Sequence, residues 1–310
     1  MTDRQHYYIT PPLQLVYLIL VGFACAVFGM LISVLIIKVL YGMDVFSQAM
    51  AISPSSPPEA ISALKILLAI GNTLFIFFVP ALFFAYLVVH DAEEYLKPSI
   101  RFPWLLIPLV LVIMFISSPT MELLTNINMQ LKLPSFLKGV ENWMRESEEE
   151  SQRIIEVVLK MRGPGDLISG LVIVALLPAV AEEFLFRGCL QTIFHRWTGR
   201  THSAIWITAI LFSTFHLQFF GFLPRVLLGA LFGYMVAWSG SIWPSVWAHF
   251  INNGTAVIWT YMYQHKQISI DVNDEHIFNY TGYIISLIFL LFLLWIYKKI
   301  AIGKNRVAEY

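Results

Sequence analysis

The chain has 310 residues, of which 58% are hydrophobic and only 13% charged, and its formal net charge is zero. A water-soluble domain cannot hide that much apolar surface, so the lipid bilayer is the expected solvent. The balanced, scattered charge removes any argument for nucleic acid as a partner.

A transmembrane helix needs roughly 20 mostly apolar residues. Eight such runs follow one another, at about 13–40, 61–89, 103–118, 165–194, 203–220, 223–238, 242–263 and 278–300, the third and sixth being short. They predict an all-α polytopic membrane helix bundle of about eight transmembrane helices, a single membrane domain over 1–310 with no internal repeat. The first run is too long for a signal-peptide core and is expected to be a retained helix. Segments 52–58 and 264–276 read as loops.

Between the third and fourth runs, residues 135–161 interleave Phe136, Leu137, Val140, Trp143, Ile154, Ile155, Val158 and Leu159 with many charges. This pattern predicts an amphipathic interfacial helical segment, the alternative being a solvated connector. With eight spans both termini share a side. Placing them in the cytoplasm puts Arg4, Lys97, Arg101, Arg196, Arg200, Lys298, Lys299, Lys304 and Arg306 inside. Arg225 and Lys266 are then the basic residues of the short outer loops, so the orientation rule favours N-in and C-in.

Charged groups deep in a bilayer cost about 2.5–3.5 kcal/mol each even on a lenient scale, so those that remain mark function or pairing. All six aspartates lie in loops or at helix edges, which excludes a paired-aspartate protease. The ionisable groups at depth reduce to Glu182, Glu183 and Arg187 in the fourth run, His216 in the fifth and His249 in the seventh. At 1.5 Å per residue, Glu182 lies about 21 Å from Arg196, and His216 about 21 Å from His202. Asn253 comes out at about 18 Å in its own helix. Glu183 and Arg187 are one turn apart and predict a charge-compensating ion pair, whereas Glu182 has no partner in its own helix.

Pro178, four residues before Glu182, deletes a helix hydrogen bond and is expected to kink the helix. Phe212 and His216 share a helix face, as do His249 and Asn253. Amide hydrolysis needs a base to activate water, an acid for the leaving amine, and donors where the oxyanion develops. Glu182 with His216 fits the first two duties, and His249 with Asn253 the third.

Glu-Glu-Phe-Leu-Phe-Arg at 182–187, Phe212 to His216 and His249 to Asn253 resemble the Glu-Glu-x-x-x-Arg, Phe-x-x-x-His and His-x-x-x-Asn motifs of the CPBP family, the type II CAAX prenyl protease group. The resemblance covers about 165–263, which becomes the expected catalytic core. It implies an eight-helix fold with a conical cavity and an intramembrane endopeptidase acting through a glutamate rather than through zinc. The catalytic residues it implies are Glu182, His216, His249 and Asn253, with Glu183, Arg187 and Phe212 as structural support. No cofactor is required on this reading. The expected partners are the lipid bilayer and a peptide or protein substrate, membrane-anchored in one version. The short loops and lack of targeting extensions point to a bacterial cytoplasmic (inner) membrane and away from prenylated substrates.

Rival readings use the same residues differently. Glu182, His216 and His249 could serve as zinc ligands with water in the fourth position. Ser239, in Ala-Trp-Ser-Gly, superficially resembles a rhomboid serine, and Cys189 could be a nucleophile. A non-enzymatic membrane scaffold, a bacteriocin-immunity protein or a proton-coupled carrier would use the charges as a relay.

Overall fold

The computed structural model describes residues 9–43, 52–131, 133–269 and 277–307, with side chains through 303. Asp3, Arg4, His6, Asp44, Lys132, Asp271, Asp274, His276 and the side chains of Lys304 and Arg306 lie outside the described residues. Every described element is helical: α1 (Pro11–Tyr41), α2 (Pro58–Val88), α3 (Ala92–Leu96), α4 (Leu106–Gln130), α5 (Lys138–Val158), α6 (Pro164–Thr198), α7 (Thr201–Phe215), α8 (Phe222–Ser239), α9 (Trp243–Gln264) and α10 (Tyr280–Val307). One-turn 3₁₀ segments precede α5 (Ser135–Leu137) and α8 (Phe219–Gly221).

The all-α bundle expected from the sequence is the fold observed, and all eight apolar runs are helical. Among the described residues, six helices, α1, α2, α4, α6, α8 and α10, are long and apolar enough to cross a membrane. By that measure the expected count of eight spans is not confirmed. α7 has only 15 residues, and α9 is diluted by polar side chains such as Ser245, His249, Asn252 and Asn253.

Two boundaries also move. α4 continues through Pro119 to Gln130, beyond the expected end at 118. The polar residues of its extension have partners: Glu122 accepts from Tyr283 Oη at 2.7 Å, and Asn128 donates to the Phe219 carbonyl at 2.6 Å. α7 stops at Phe215 rather than 220, with Leu217 in the left-handed region at φ 54°.

α1 and α10 form the flanks. α1 packs on α2 and α6, and α10 on α4 and α8, while their outer faces expose large apolar side chains such as Phe23, Val39, Ile288 and Phe292. That exposure is what lipid contact requires. α6, α8 and α9 lie inside, and apolar side chains from all three are fully buried.

The reversals that set the inner helices antiparallel are short. Gly199 and Gly240 adopt φ of 65° and 70° after α6 and α8, a conformation glycine enters without steric cost. α9 then starts with Pro244 in its first turn. Segment 97–99 clamps this end, because Ile242 N donates to the Lys97 carbonyl (3.0 Å), Trp243 Nε1 to that of Pro98 (2.8 Å) and Ser241 Oγ to that of Ser99 (2.6 Å).

α5 is the amphipathic helix foreseen between the third and fourth runs. It does more than lie at an interface. Val157 and Val158 are buried against Leu64 of α2, and Ile154, Ile155 and Val158 wall the central cavity.

Candidate active site

The two carboxylates of α6 are adjacent in sequence and lead different lives. Glu183 is fully buried and its Oε1 accepts from Arg187 Nη1 at 2.7 Å, the i to i+4 ion pair expected from spacing. The same oxygen takes a second bond, 2.9 Å from His249 Nδ1. The role of Glu183 is thus wider than charge compensation, because it also orients a histidine of α9.

Arg187 is held by more than its carboxylate. Its Nη2 donates to the Gly229 carbonyl at 3.2 Å, and its guanidinium carbon lies 4.3 Å from the Phe212 ring centroid and 5.3 Å from that of Phe232. α8 comes close enough here because of glycine: a Cβ at position 229 would lie 3.1 Å from Ala209 of α7. Phe212 is a hub, packing edge-on against His216 at 4.8 Å and His249 at 5.9 Å. Phe232 stacks on His249 at 5.4 Å.

Glu182 faces the cavity. Its Oε2 is buried and has no hydrogen-bond partner among the described residues. His216 Nε2 lies 3.8 Å from it and His249 Nε2 lies 3.9 Å from it. The similar depth inferred for residues on three helices is realised as a cluster.

The end of α7 aims His216. The His216 amide bonds to the Ser213 carbonyl (3.3 Å), a tightened i−3 bond that leaves the Phe212 carbonyl without its helical amide. The His216 Nδ1 donates to that carbonyl at 2.9 Å. Both Nδ1 atoms therefore donate, one to a carbonyl and one to a carboxylate that already pairs with Arg187. His216 then presents an Nε2 lone pair toward Glu182, and His249 turns its own Nε2 the same way.

Asn253 sits one turn beyond His249, and its Nδ2 donates to the Val174 carbonyl at 3.2 Å. Proline at 178 has no amide to give that carbonyl, so the asparagine supplies the missing donor. Helix α6 passes this point through wider π-type turns at Leu171–Leu176. Asn253 Oδ1 accepts from Asn252 at 3.1 Å, and one N–H of Asn253 remains for another partner.

These groups line a cavity of about 520 Å³ whose walls come from α2 (Leu68, Asn72, Thr73), α5, α6, α7, α8 and α9. Sequence reasoning missed Phe232, Asn252, Gln218, Arg225 and the α2 pair Asn72 and Thr73. A census restricted to ionisable residues at depth passes over asparagine and threonine. Arg225 was assigned to an outer loop, yet it belongs to the first turns of α8 and lines the same cavity as Glu182.

The rival residues stand apart. Cys189 is fully buried within an apolar cluster against the Ala81 carbonyl and does not line the cavity. Ser239 donates to the Met235 carbonyl at the far end of α8. For zinc, tetrahedral bonds of about 2.0–2.1 Å put donor atoms about 3.3–3.4 Å apart, closer than the 3.8 and 3.9 Å found here. No group of three His, Cys, Asp or Glu side chains arranged to hold a metal occurs among the described residues.

Comparison with known proteins adds an independent line. Residues 164–255 match the family model described as type II CAAX prenyl endopeptidase Rce1-like. The chain is also 28% identical over 114 residues to the uncharacterized protein YpbD of Bacillus subtilis (strain 168), a match covering 36% of this chain and 54% of the relative. It thus spans about half the relative's length. No solved structure matches. With six apolar helices of spanning length, the chain is an integral membrane protein. The family resemblance read from three short motifs is accordingly the family whose model matches residues 164–255, the segment that holds all three motifs.

Proposed function

We propose that this protein is an intramembrane endopeptidase that hydrolyses a peptide bond with water activated by Glu182 and His216. The observation that carries the reading is the buried, unpartnered Glu182 Oε2 with two imidazole Nε2 atoms 3.8 and 3.9 Å away. A single water can sit at about 2.8 Å from two groups so spaced. It would donate one proton to Glu182 Oε2 and the other to His216 Nε2, leaving an oxygen lone pair to attack the carbonyl carbon.

The water oxygen forms the new C–O bond and its proton passes to Glu182. The tetrahedral oxyanion collapses, the C–N bond breaks, and the proton returns to the departing amine. His249 and the remaining N–H of Asn253 face the oxyanion. Glu183 at Nδ1 fixes the His249 ring so that its Nε2 is turned to that oxyanion, the logic by which a carboxylate serves an imidazole in hydrolytic triads. No cofactor takes part in these steps.

The partners of this reading are the bilayer and a peptide or membrane-anchored protein, in a bacterial cytoplasmic membrane with both termini inside. The test is mass spectrometry of membrane-protein termini from cells expressing wild type or Glu182→Gln. Termini present with wild type and missing with the variant support the proposal and name a substrate. Identical termini in both would instead favour a scaffold.

A further inference from the structure

The cavity wall contains a cation that the hydrolytic mechanism does not use. Arg225 is half-buried, lines the same cavity as Glu182, His216 and Asn253, and forms no ion pair among the described residues. Its guanidinium donates to uncharged oxygens of one residue: Nη1 to the Gln218 carbonyl at 3.1 Å and Nη2 to Gln218 Oε1 at 2.8 Å. The contrast with Arg187 is sharp, because that guanidinium has a carboxylate at 2.7 Å and two aromatic faces.

The site around it is shaped for the guanidinium. Gly221 lines both the inner cavity and the adjoining larger one, of about 900 Å³. A Cβ at position 221 would lie 3.0 Å from Arg225 Nη2. Arg225 thus lies in the inner cavity against Gly221, the residue that borders both. The carboxylates facing it are Glu182 and Glu148; Glu148 accepts from the Phe220 amide at 3.3 Å and pairs with no cation among the described residues. Cations away from bulk water are costly and pair with anions or backbone carbonyls, and at membrane depth they mark substrate pathways.

We infer that Arg225, steadied by Gln218 and given room by Gly221, is a specificity subsite that takes a carboxylate of the substrate peptide, at its C-terminus or on an acidic side chain. A planar guanidinium carries five N–H donors, more than the two bonds to Gln218 use, and its fork matches a carboxylate geometrically as well as electrostatically. The inference rests on the hydrolase reading for its substrate class, and its test is built on binding so that the two can fail separately.

The full chain carrying Glu182→Gln, purified in neutral detergent, is presented with a synthetic pool of N-acylated octapeptides in three matched forms. These are the free C-terminal acid, the C-terminal amide, and the amide with one internal Glu in place of Gln. Capture is read by mass spectrometry of bound peptide. The subsite predicts that one or both acidic forms are retained about 10- to 100-fold better than the plain amide. That preference disappears in Glu182→Gln/Arg225→Met.

A second variant guards against misfolding of the first. Gln218→Glu places a carboxylate beside the same guanidinium in cis and should abolish the preference while keeping Arg225 paired. Equal capture of acid and amide by the parent, or a preference that survives both variants, overturns the inference. Arg225-dependent binding of anionic phospholipid with no discrimination among the peptides also overturns it, assigning the cation to a lipid headgroup. Cleavage of the pool by wild type is scored separately. Preference without cleavage sinks the hydrolase reading and leaves the subsite, and cleavage without preference does the reverse.

Discussion

Glu183 and His249 are joined by a 2.9 Å hydrogen bond from Nδ1 to Oε1, and that bond fixes which face of the imidazole looks at Glu182. Two neighbouring carboxylates in one helix therefore divide the work. Glu183 holds Arg187 and His249 in place, while Glu182 has its free oxygen in the cavity.

This division predicts opposite stability effects from one chemical change. Glu183→Gln leaves the fully buried Arg187 without its counter-charge and should cost about 3–5 kcal/mol. Glu182→Gln breaks no hydrogen bond of Oε2 and removes a buried charge, so stability should hold or rise. Unfolding of the two variants in detergent micelles distinguishes the roles. Equal destabilisation would contradict them.

Asn253 and Pro178 form a second testable pair through the Val174 carbonyl. Asn253→Ala strips that carbonyl of its donor and should destabilise by about 1 kcal/mol. Adding Pro178→Ala supplies a backbone amide and should recover much of the loss, giving a favourable coupling in a double-mutant cycle. Strictly additive effects would mean that the asparagine does not compensate for the proline.

Lys97, in the segment that clamps the start of α9, predicts a pH effect. Its ammonium donates to Thr192 Oγ1 at 2.6 Å and to the Glu94 carbonyl at 2.7 Å, and burial pushes its pKa down to about 8. The unfolded chain holds this proton up to about pH 10.4, so between pH 8 and 10.4 it binds more protons than the folded one. Stability from this group then rises as pH climbs through that window. Lys97→Met should flatten the rise, as followed by thermal unfolding from pH 7 to 10.5. An unchanged profile would contradict it.

Much of this arrangement could be read from sequence because buried charge is so rare in an apolar chain. Glu182, Glu183, Arg187, His216 and His249 stand out against their spans, and helical rise alone brings them to similar depth. What escaped were properties set by tertiary partners. The continuation of α4 past Pro119 depends on Tyr283 and Phe219 bonding to Glu122 and Asn128. The early stop of α7 is a backbone rearrangement in which a side chain takes over a carbonyl. The dual bonding of Glu183 needs α9 beside α6, and neutral lining groups such as Asn72 and Asn252 carry no charge to betray them.

The central claim is that Glu182 acts on water held beside two imidazoles. Its most direct test is the hydrolysis rate of a peptide substrate identified from membrane termini, measured with purified wild type and Glu182→Gln, each with and without a zinc chelator. The account predicts chelator-insensitive cleavage by wild type and a loss of about 10²- to 10⁴-fold in the variant. Cleavage by Glu182→Gln at the wild-type rate would contradict it.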